Sequence, residues 1–414
     1  MAEDEKQIAQ REISETLSLC NFCIRRIGLS FIDDVPKSVG DKLKTYLSFM
    51  TSSSLLVLML VSEIAYIAGQ MVNFASIEDF VGSYLHIAGY DTMSFGKLLT
   101  IWYKRNKFRQ LVIELADIWP VALSDPGALD IKHKSLSALK HRQFLYAFWN
   151  VFGVWLYNLT PIAILLYRKI RGITAGLGYV WQMAYPFDKT KPVYHELVYI
   201  FETCSGVISV CCMLGSDLLF MTMASHISML LRLLQEKIRR LGFTESDVHA
   251  HQDDTSAYQD CYQQIVAVVK IHQRLISYIN DLEDAFSVVN LINVLLSSVN
   301  ICCVVFTIVF LESWMEMSNK FFLGAALTQM GIVCWYADDI YRASLGVSDA
   351  VYESGWYRSN SRCRRAMLVL LQRSQRPLYF TALKFRSITM ITYSSILTTA
   401  YSYFTLLYTS YQRH

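Results

Sequence analysis

Apolar runs of roughly twenty residues recur along the chain at about 47–71, 80–102, 143–167, 196–224, 287–311, 320–341 and 388–411. Each is long enough to cross a ~30 Å hydrocarbon core as a helix. The pattern predicts an all-α polytopic membrane protein with seven transmembrane helices. The second run is the weakest, because it carries His86, Asp91 and Lys97 and must be shielded by its neighbours. The fourth run continues past the membrane with apolar spacing through Ile227, Leu230, Leu231, Leu234 and Ile238. At ~1.5 Å per residue, an element from Tyr194 to Leu241 is about 70 Å long, so it projects well beyond the bilayer. A second long helix rises from about Tyr258 into the fifth run with a seam at Ile265, Val268, His272, Leu275, Ile279, Leu282 and Phe286, the 3-4 spacing of a packed helix face. The predicted product is a helical hairpin below the membrane, packed against 361–376 of the same chain and against other subunits. On that seam His272 reads as a packed core residue.

The last run has two faces. Thr392, Ser395, Thr399, Ser402, Leu406 and Thr409 follow one another at steps of three and four, with an apolar and aromatic side made of Ile391, Ile396, Ala400, Tyr403, Phe404 and Leu407. Two readings are open: a hydroxyl line that wets a pore, or hydroxyls that bond back to their own helix.

Charge supplies orientation. Lys104, Arg105, Lys107, Arg109, Lys132, Lys134, Lys140 and Arg142 follow the second run, and Arg342, Arg358, Arg362, Arg364, Arg365, Arg373 and Arg376 follow the sixth. By the positive-inside rule these segments face the cytosol, whereas the segments after the first and fifth runs, poor in Lys and Arg, face outside. The loop at 168–192 is moderately basic but is placed outside by parity. The expected arrangement is a cytosolic segment 1–46, spans one to four in 47–224, a cytosolic helical anchor hairpin 225–286, spans five and six in 287–341, a second anchor segment 342–387, and 388–414 holding span seven and an external C-terminus. This is inverted relative to G-protein-coupled receptors, whose motifs at the ends of spans three and seven are also missing.

Composition agrees: 53% of residues are hydrophobic and 18% charged, too apolar for an ordinary soluble domain. A formal net charge of +3 gives no basic excess for nucleic acid. Ten cysteines avoid the candidate external loops, so no disulfide framework is expected. Cys20 and Cys23 lack a second pair for zinc and read as packing of an amphipathic helix. The opening Ala2-Glu3-Asp4-Glu5-Lys6 has neither a basic start nor an apolar core, so a cleavable signal peptide is not expected. His249, His251, Asp253 and Asp254 read as a solvated turn. No catalytic motif of a hydrolase, metalloprotease or nucleotide-binding enzyme occurs, and neither enzyme activity nor a cofactor is expected.

Cys334-Trp335-Tyr336-Ala337-Asp338, Ser344, Ala350, Tyr352, Trp356-Tyr357, Arg373-Ser374-Gln375-Arg376-Pro377 and Tyr401-Ser402-Tyr403-Phe404 with Leu406-Leu407 resemble the C-terminal signature of the insect odorant receptors. The loop Tyr185-Pro186-Phe187-Asp188 and Asp217 in span four fit the same family; Ala337 departs from it, where the family usually has Gly. The chain resembles the odorant-tuned subunit, since it lacks the long insertion typical of the shared coreceptor. The resemblance implies an odorant-gated, non-selective cation channel, a tetramer with coreceptor subunits around one pore, in the plasma membrane of olfactory neuron dendrites. It also implies a ligand pocket drawn from Tyr84, Ile87, Gly153, Tyr157, Thr203, Val207, Phe306 and Phe310. Alignment on Tyr403-Phe404 places Leu406 and Ser410 at the pore constriction with Thr409 beside them, below Ser402 and Thr399. The implied partners are a volatile odorant, coreceptor, lipid and permeant cations. The alternative readings are a metabotropic chemoreceptor and a polytopic scaffold that is not a channel. The sequon at Asn158 lies within span three, so glycosylation there is not expected.

Overall fold

The computed structural model describes residues 2–30, 38–72, 85–173, 176–181, 183–241, 255–311 and 317–412. Among them are nine α-helices: α1 (Ala2–Arg26), α2 (Val39–Val72), α3 (Leu85–Asp117), α4 (Pro126–Ile170), α5 (Pro192–Arg239), α6 (Thr255–Phe306), α7 (Ser318–Glu353), α8 (Ser361–Ser374) and α9 (Met390–Tyr411). Four of these, α2, α4, α5 and α6, are long and apolar enough by composition alone to cross a membrane. The other three expected spans lie in α3, α7 and α9, where buried charges or serine, threonine and tyrosine dilute the hydropathy. The exposed faces of α2 and α4 are apolar, with Leu47, Val57, Leu58, Val61 and Ile64 on one and Phe144, Phe148, Phe152, Trp155 and Leu159 on the other. An apolar surface of that extent is stable only against lipid or another apolar partner.

The helices outrun the apolar runs that announce them. The basic stretch at 104–142 is mostly the continuation of α3 and the start of α4, joined by a short turn. Asp125 caps α4: its carboxylate accepts from the Gly127 N–H at 3.3 Å and the Ala128 N–H at 2.9 Å, with Pro126 in the first turn. These are the orphan donors that a helix start exposes. The carboxylate also pairs with Arg240 at the end of α5. Desolvation pushes the Asp125 carboxyl up, but the hydrogen bonds from Ala128, Arg240 and Gly127 together with the charge of Arg240 outweigh it and hold the group below the usual carboxylate range.

The long α5 is one uninterrupted helix of 48 residues, as its apolar spacing predicts. The seam of α6 from Ile265 to Phe286 is buried throughout, His272 included, but inside its own chain. Tyr278 donates to the Leu111 carbonyl of α3 at 3.0 Å, and Phe286 packs against Phe108 and Phe220. The expectation that other subunits cover this seam is therefore corrected: α3, α5 and α8 already fill it, because α3 extends further than its apolar run. The buried side of α1, including Cys20 and Cys23, lies on α5, and the Cys20 thiol donates to the Gly215 carbonyl at 3.3 Å. All ten cysteines are free thiols. Among the described residues no group of side chains could hold a metal ion; the histidines at 249 and 251 lie outside them.

Between α8 and α9 the chain forms a two-stranded hairpin, β1 (Thr381–Ala382) and β2 (Arg386–Ser387). Its turn puts Leu383 and Lys384 at φ 47° and 62°, a left-handed conformation that costs a residue bearing a Cβ. Thr389 then caps α9, its hydroxyl accepting from the Thr392 N–H.

A candidate ligand cavity and an unpacked terminal helix

At the end of the bundle where residues 176–190 fold over the helices, the loop end, lies a cavity of about 50 Å³. Its walls are Met59 of α2, Ile87, Tyr90 and Asp91 of α3, Trp149, Asn150, Gly153, Val154 and Tyr157 of α4, Gly206, Ser209 and Val210 of α5, and Phe322 and Ala325 of α7, with Trp181 as a lid. The lid is held by one side chain. The Glu202 carboxylate accepts from the N–H groups of Val180 (2.7 Å) and Trp181 (3.1 Å) and from the Tyr185 hydroxyl (2.9 Å), while its carbonyl accepts from the Trp181 indole (3.3 Å). The loop is tied to α2 as well, through the Ala184 N–H to the Ser62 carbonyl at 3.2 Å. Trp181 packs over Gly206, where an added Cβ would reach ordinary contact with the ring at 3.4 Å. Further out, hydrogen bonds from the Thr190 hydroxyl and N–H hold Asp188 below the usual carboxylate range and fix the loop's last turn.

Aromatic rings give the cavity its character. Tyr157 lies 4.7 Å from Trp181 and 6.4 Å from Phe322, and Tyr90 lies 5.3 Å from Phe322. The Tyr157 hydroxyl is spent on Asn319 of α7. Such an enclosure takes small apolar or aromatic molecules by burial, with Asp91, Asn150 and Ser209 available for orientation.

Of the residues put forward for a pocket, Ile87, Gly153 and Tyr157 line this cavity. Thr203 and Val207 stand on α5 outside its walls, where Gly206, Ser209 and Val210 take their place. Phe306 and Phe310 belong elsewhere: they close the end of α6, where a π-helical turn runs from Thr307 to Leu311, against Phe404, Tyr408 and Tyr411 of α9. Tyr84 lies outside the described residues. Trp181, Phe322 and Asp91 were not foreseen as wall residues. A tryptophan in a polar loop and the Phe321-Phe322 pair at the start of α7 were the available signals.

Helix α9 packs on α6 and α7 with one side only. Thr392, Ile396 and Ala400 are buried, while Ser402, Leu406 and Thr409 are exposed, Leu406 at 69%. Thr399 and Ser410 are half-buried. The hydroxyls of Thr399, Ser402 and Thr409 donate to the carbonyls of Ser395, Thr398 and Thr405 at 2.8–2.9 Å. Bonding back to the helix and facing an aqueous axis are thus compatible here, since each hydroxyl oxygen keeps acceptor capacity. Ile391 and Tyr403, on the apolar and aromatic side, are exposed as well.

Asp217, costly to leave bare in a membrane, has the structural partners that cost demands. Lys97 reaches both its oxygens at 2.6 and 2.8 Å, and the Tyr146 hydroxyl donates to it at 2.7 Å, with Lys97 and Tyr146 wholly buried. Asn158 is also buried, which removes it from glycosylation.

Fold and cavity together describe a polytopic helical membrane receptor. The family model described as "7tm Odorant receptor" matches residues 79–401, and the chain belongs to the insect odorant receptor family. It is 25% identical to odorant receptor 85c of Drosophila melanogaster over 357 residues, 84% of this chain and 85% of that one. It is 28% identical to odorant receptor 22c of the same organism over 61% of this chain and 63% of the relative. The insect olfactory receptor OR5 from Machilis hrabei, solved in complex with eugenol, superposes with a TM-score of 0.80 at 14% identity, covering 98% of this chain and 100% of that one. The family is one of multi-pass, non-enzymatic receptors, and the fold has seven membrane-spanning helices.

Proposed function

We propose that the chain is the odorant-binding subunit of an odorant-gated, non-selective cation channel. The juxtaposition that carries this reading is a lidded aromatic cavity at one end of the bundle and, beside the same helices, a span that leaves Ser402, Leu406 and Thr409 of its hydroxyl face exposed. The cavity takes a volatile molecule; the unpacked face of α9, with Thr399, Ser402, Leu406, Thr409 and Ser410, lines a central pore in a tetramer with coreceptor subunits. The N-terminus is cytosolic and the C-terminus external, so the loop end faces outward. The parts of α5–α7 beyond the bilayer, with α8, form the anchor at 225–286 and 342–387.

The small size of the cavity matters to the mechanism. An odorant with a ring cannot enter ~50 Å³ without displacing walls, and burial of its surface at ~25 cal/mol per Å² supplies the energy to do so. Displacement of the wall helix α7 reaches α9 through their direct packing, beside the Phe306–Phe310 cluster of α6. A difference of a few kcal/mol between two packings is enough for a large shift in population.

The test is current from cells expressing the chain with a coreceptor. Rapid inward cation current on exposure to a volatile panel, independent of nucleotides, is expected. Leu406→Ala should add leak without odorant and Leu406→Lys should suppress flow. Unchanged basal and evoked currents in both variants at equal surface expression would remove α9 from the pore.

A further inference from the structure

Asp91 in the wall of the cavity, with Glu63 behind it, is chemistry that an apolar odorant does not use. Asp91 is 2% exposed and lines the cavity; Glu63, one turn along α2 from the wall residue Met59, is 3% exposed. Their carboxyl groups are within hydrogen-bonding reach of each other. One Asp91 oxygen accepts from the Ser209 hydroxyl. Apart from each other, the second Asp91 oxygen and both oxygens of Glu63 find no hydrogen-bond partner among the described residues. No described basic side chain acts on either group, and Lys97, on the same helix as Asp91, is committed to Asp217 at 2.6 Å. Buried carboxyl oxygens without donors are expensive to keep.

Around Asp91 stand the faces and edges of Tyr90, Trp149, Tyr157, Trp181 and Phe322. An aromatic enclosure attracts an organic cation through the ring quadrupoles. An ammonium group also supplies up to three N–H donors to oxygens that lack them, whereas an alcohol supplies one and a hydrocarbon none.

We propose that this cavity is selective for small volatile amines, with the ammonium head seated on the Glu63–Asp91 pair and the apolar body among the aromatic walls. The proposal rests on the cavity being the ligand site, and deepens that reading.

Binding can be measured without any channel activity, as thermal stabilisation of the full chain in nanodiscs by three probes of matched shape: phenethylamine, phenethyl alcohol and propylbenzene. Phenethylamine is expected to bind about tenfold or more tightly than the other two, the difference between a charge-assisted and an absent hydrogen bond. Glu63→Gln with Asp91→Asn, which preserve shape, should remove that preference while leaving propylbenzene unaffected. Equal binding of all three probes, or preference for the neutral ones, overturns the proposal and leaves the cavity reading standing: the carboxyl pair is then closed on itself. Stabilisation by none overturns both. The wild-type probe series decides between these outcomes even where a variant fails to fold.

Discussion

The loop end and the opposite, packed end of the bundle solve the burial of polar groups in contrary ways. At the packed end they are satisfied inside the chain. Gln143 donates to Thr222 at 2.7 Å and Gln235 to the Ala343 carbonyl at 2.7 Å, Lys132 reaches Glu12 at 2.6 Å, and Arg239 reaches Glu353 at 2.8 Å. At the loop end Asp91 stands in the cavity wall with Glu63 behind it, and beyond Ser209 and each other the two carboxyls find no described partner, as the Asn158 side chain finds none. Native interiors hold few such atoms, and the places that do are the places where something else is meant to bind. One end is built to hold shape, the other to change it on contact.

The largest effect should come from breaking the ion pair between the two ends. Asp217→Ala leaves Lys97 buried without its partner and should cost about 3–5 kcal/mol, read as loss of folded protein or a sharp fall in thermal midpoint in detergent. Lys97→Met combined with Asp217→Leu should recover much of it; if the single variant is as stable as wild type, the packed end is not held as described. A smaller stability change with a large effect on binding is expected at the other end. Gly153 lines the cavity, and a Cβ there would meet nothing within 4 Å, so Gly153→Ala should leave stability within about 1 kcal/mol and Gly153→Leu should fill the void. Odorant affinity falling with side-chain volume at unchanged thermal midpoint is the expected signature, and unchanged affinity would move the site elsewhere. The smallest effect belongs to Asp125. Its folded value lies below the usual carboxylate range, so its contribution is present above the unfolded value and is lost as pH falls through the folded one. Asp125→Asn should flatten that acid limb slightly, with the greater difference at low salt.

Periodicity made much of this legible. The seam from Ile265 to Phe286 and the unbroken continuation of α5 to Arg239 are properties of spacing along one helix, and both are found as read. The walls of the cavity are not such a property. Asp91 counted against its span because a lone carboxylate is costly in lipid; only the approach of α2 and α5 makes it a wall. Phe306 and Phe310 were taken for walls because the family resemblance implies a pocket reaching spans five and six, but at the π turn from Thr307 to Leu311 their rings lie against α9. Of the seam's partners, 361–376 was foreseen and α3 was not, since nothing in the apolar pattern of α3 says that the helix continues to Asp117.

The unbroken length of α5 has a mechanical consequence. The helix is gripped by the lid at Glu202, by Lys97 and Tyr146 at Asp217, and by Glu353 at Arg239. With Asp217 as fulcrum, Arg239 lies about 33 Å away at ~1.5 Å per residue. A tilt of about 2° then carries that tip through about 1 Å on the same helical scale, a travel comparable to the tolerance of an ion pair. A kinked or jointed helix would dissipate such a motion at its joint. In the proposed function, a continuous one is a lever, and a small push at the lid becomes a displaced contact at the Arg239 end.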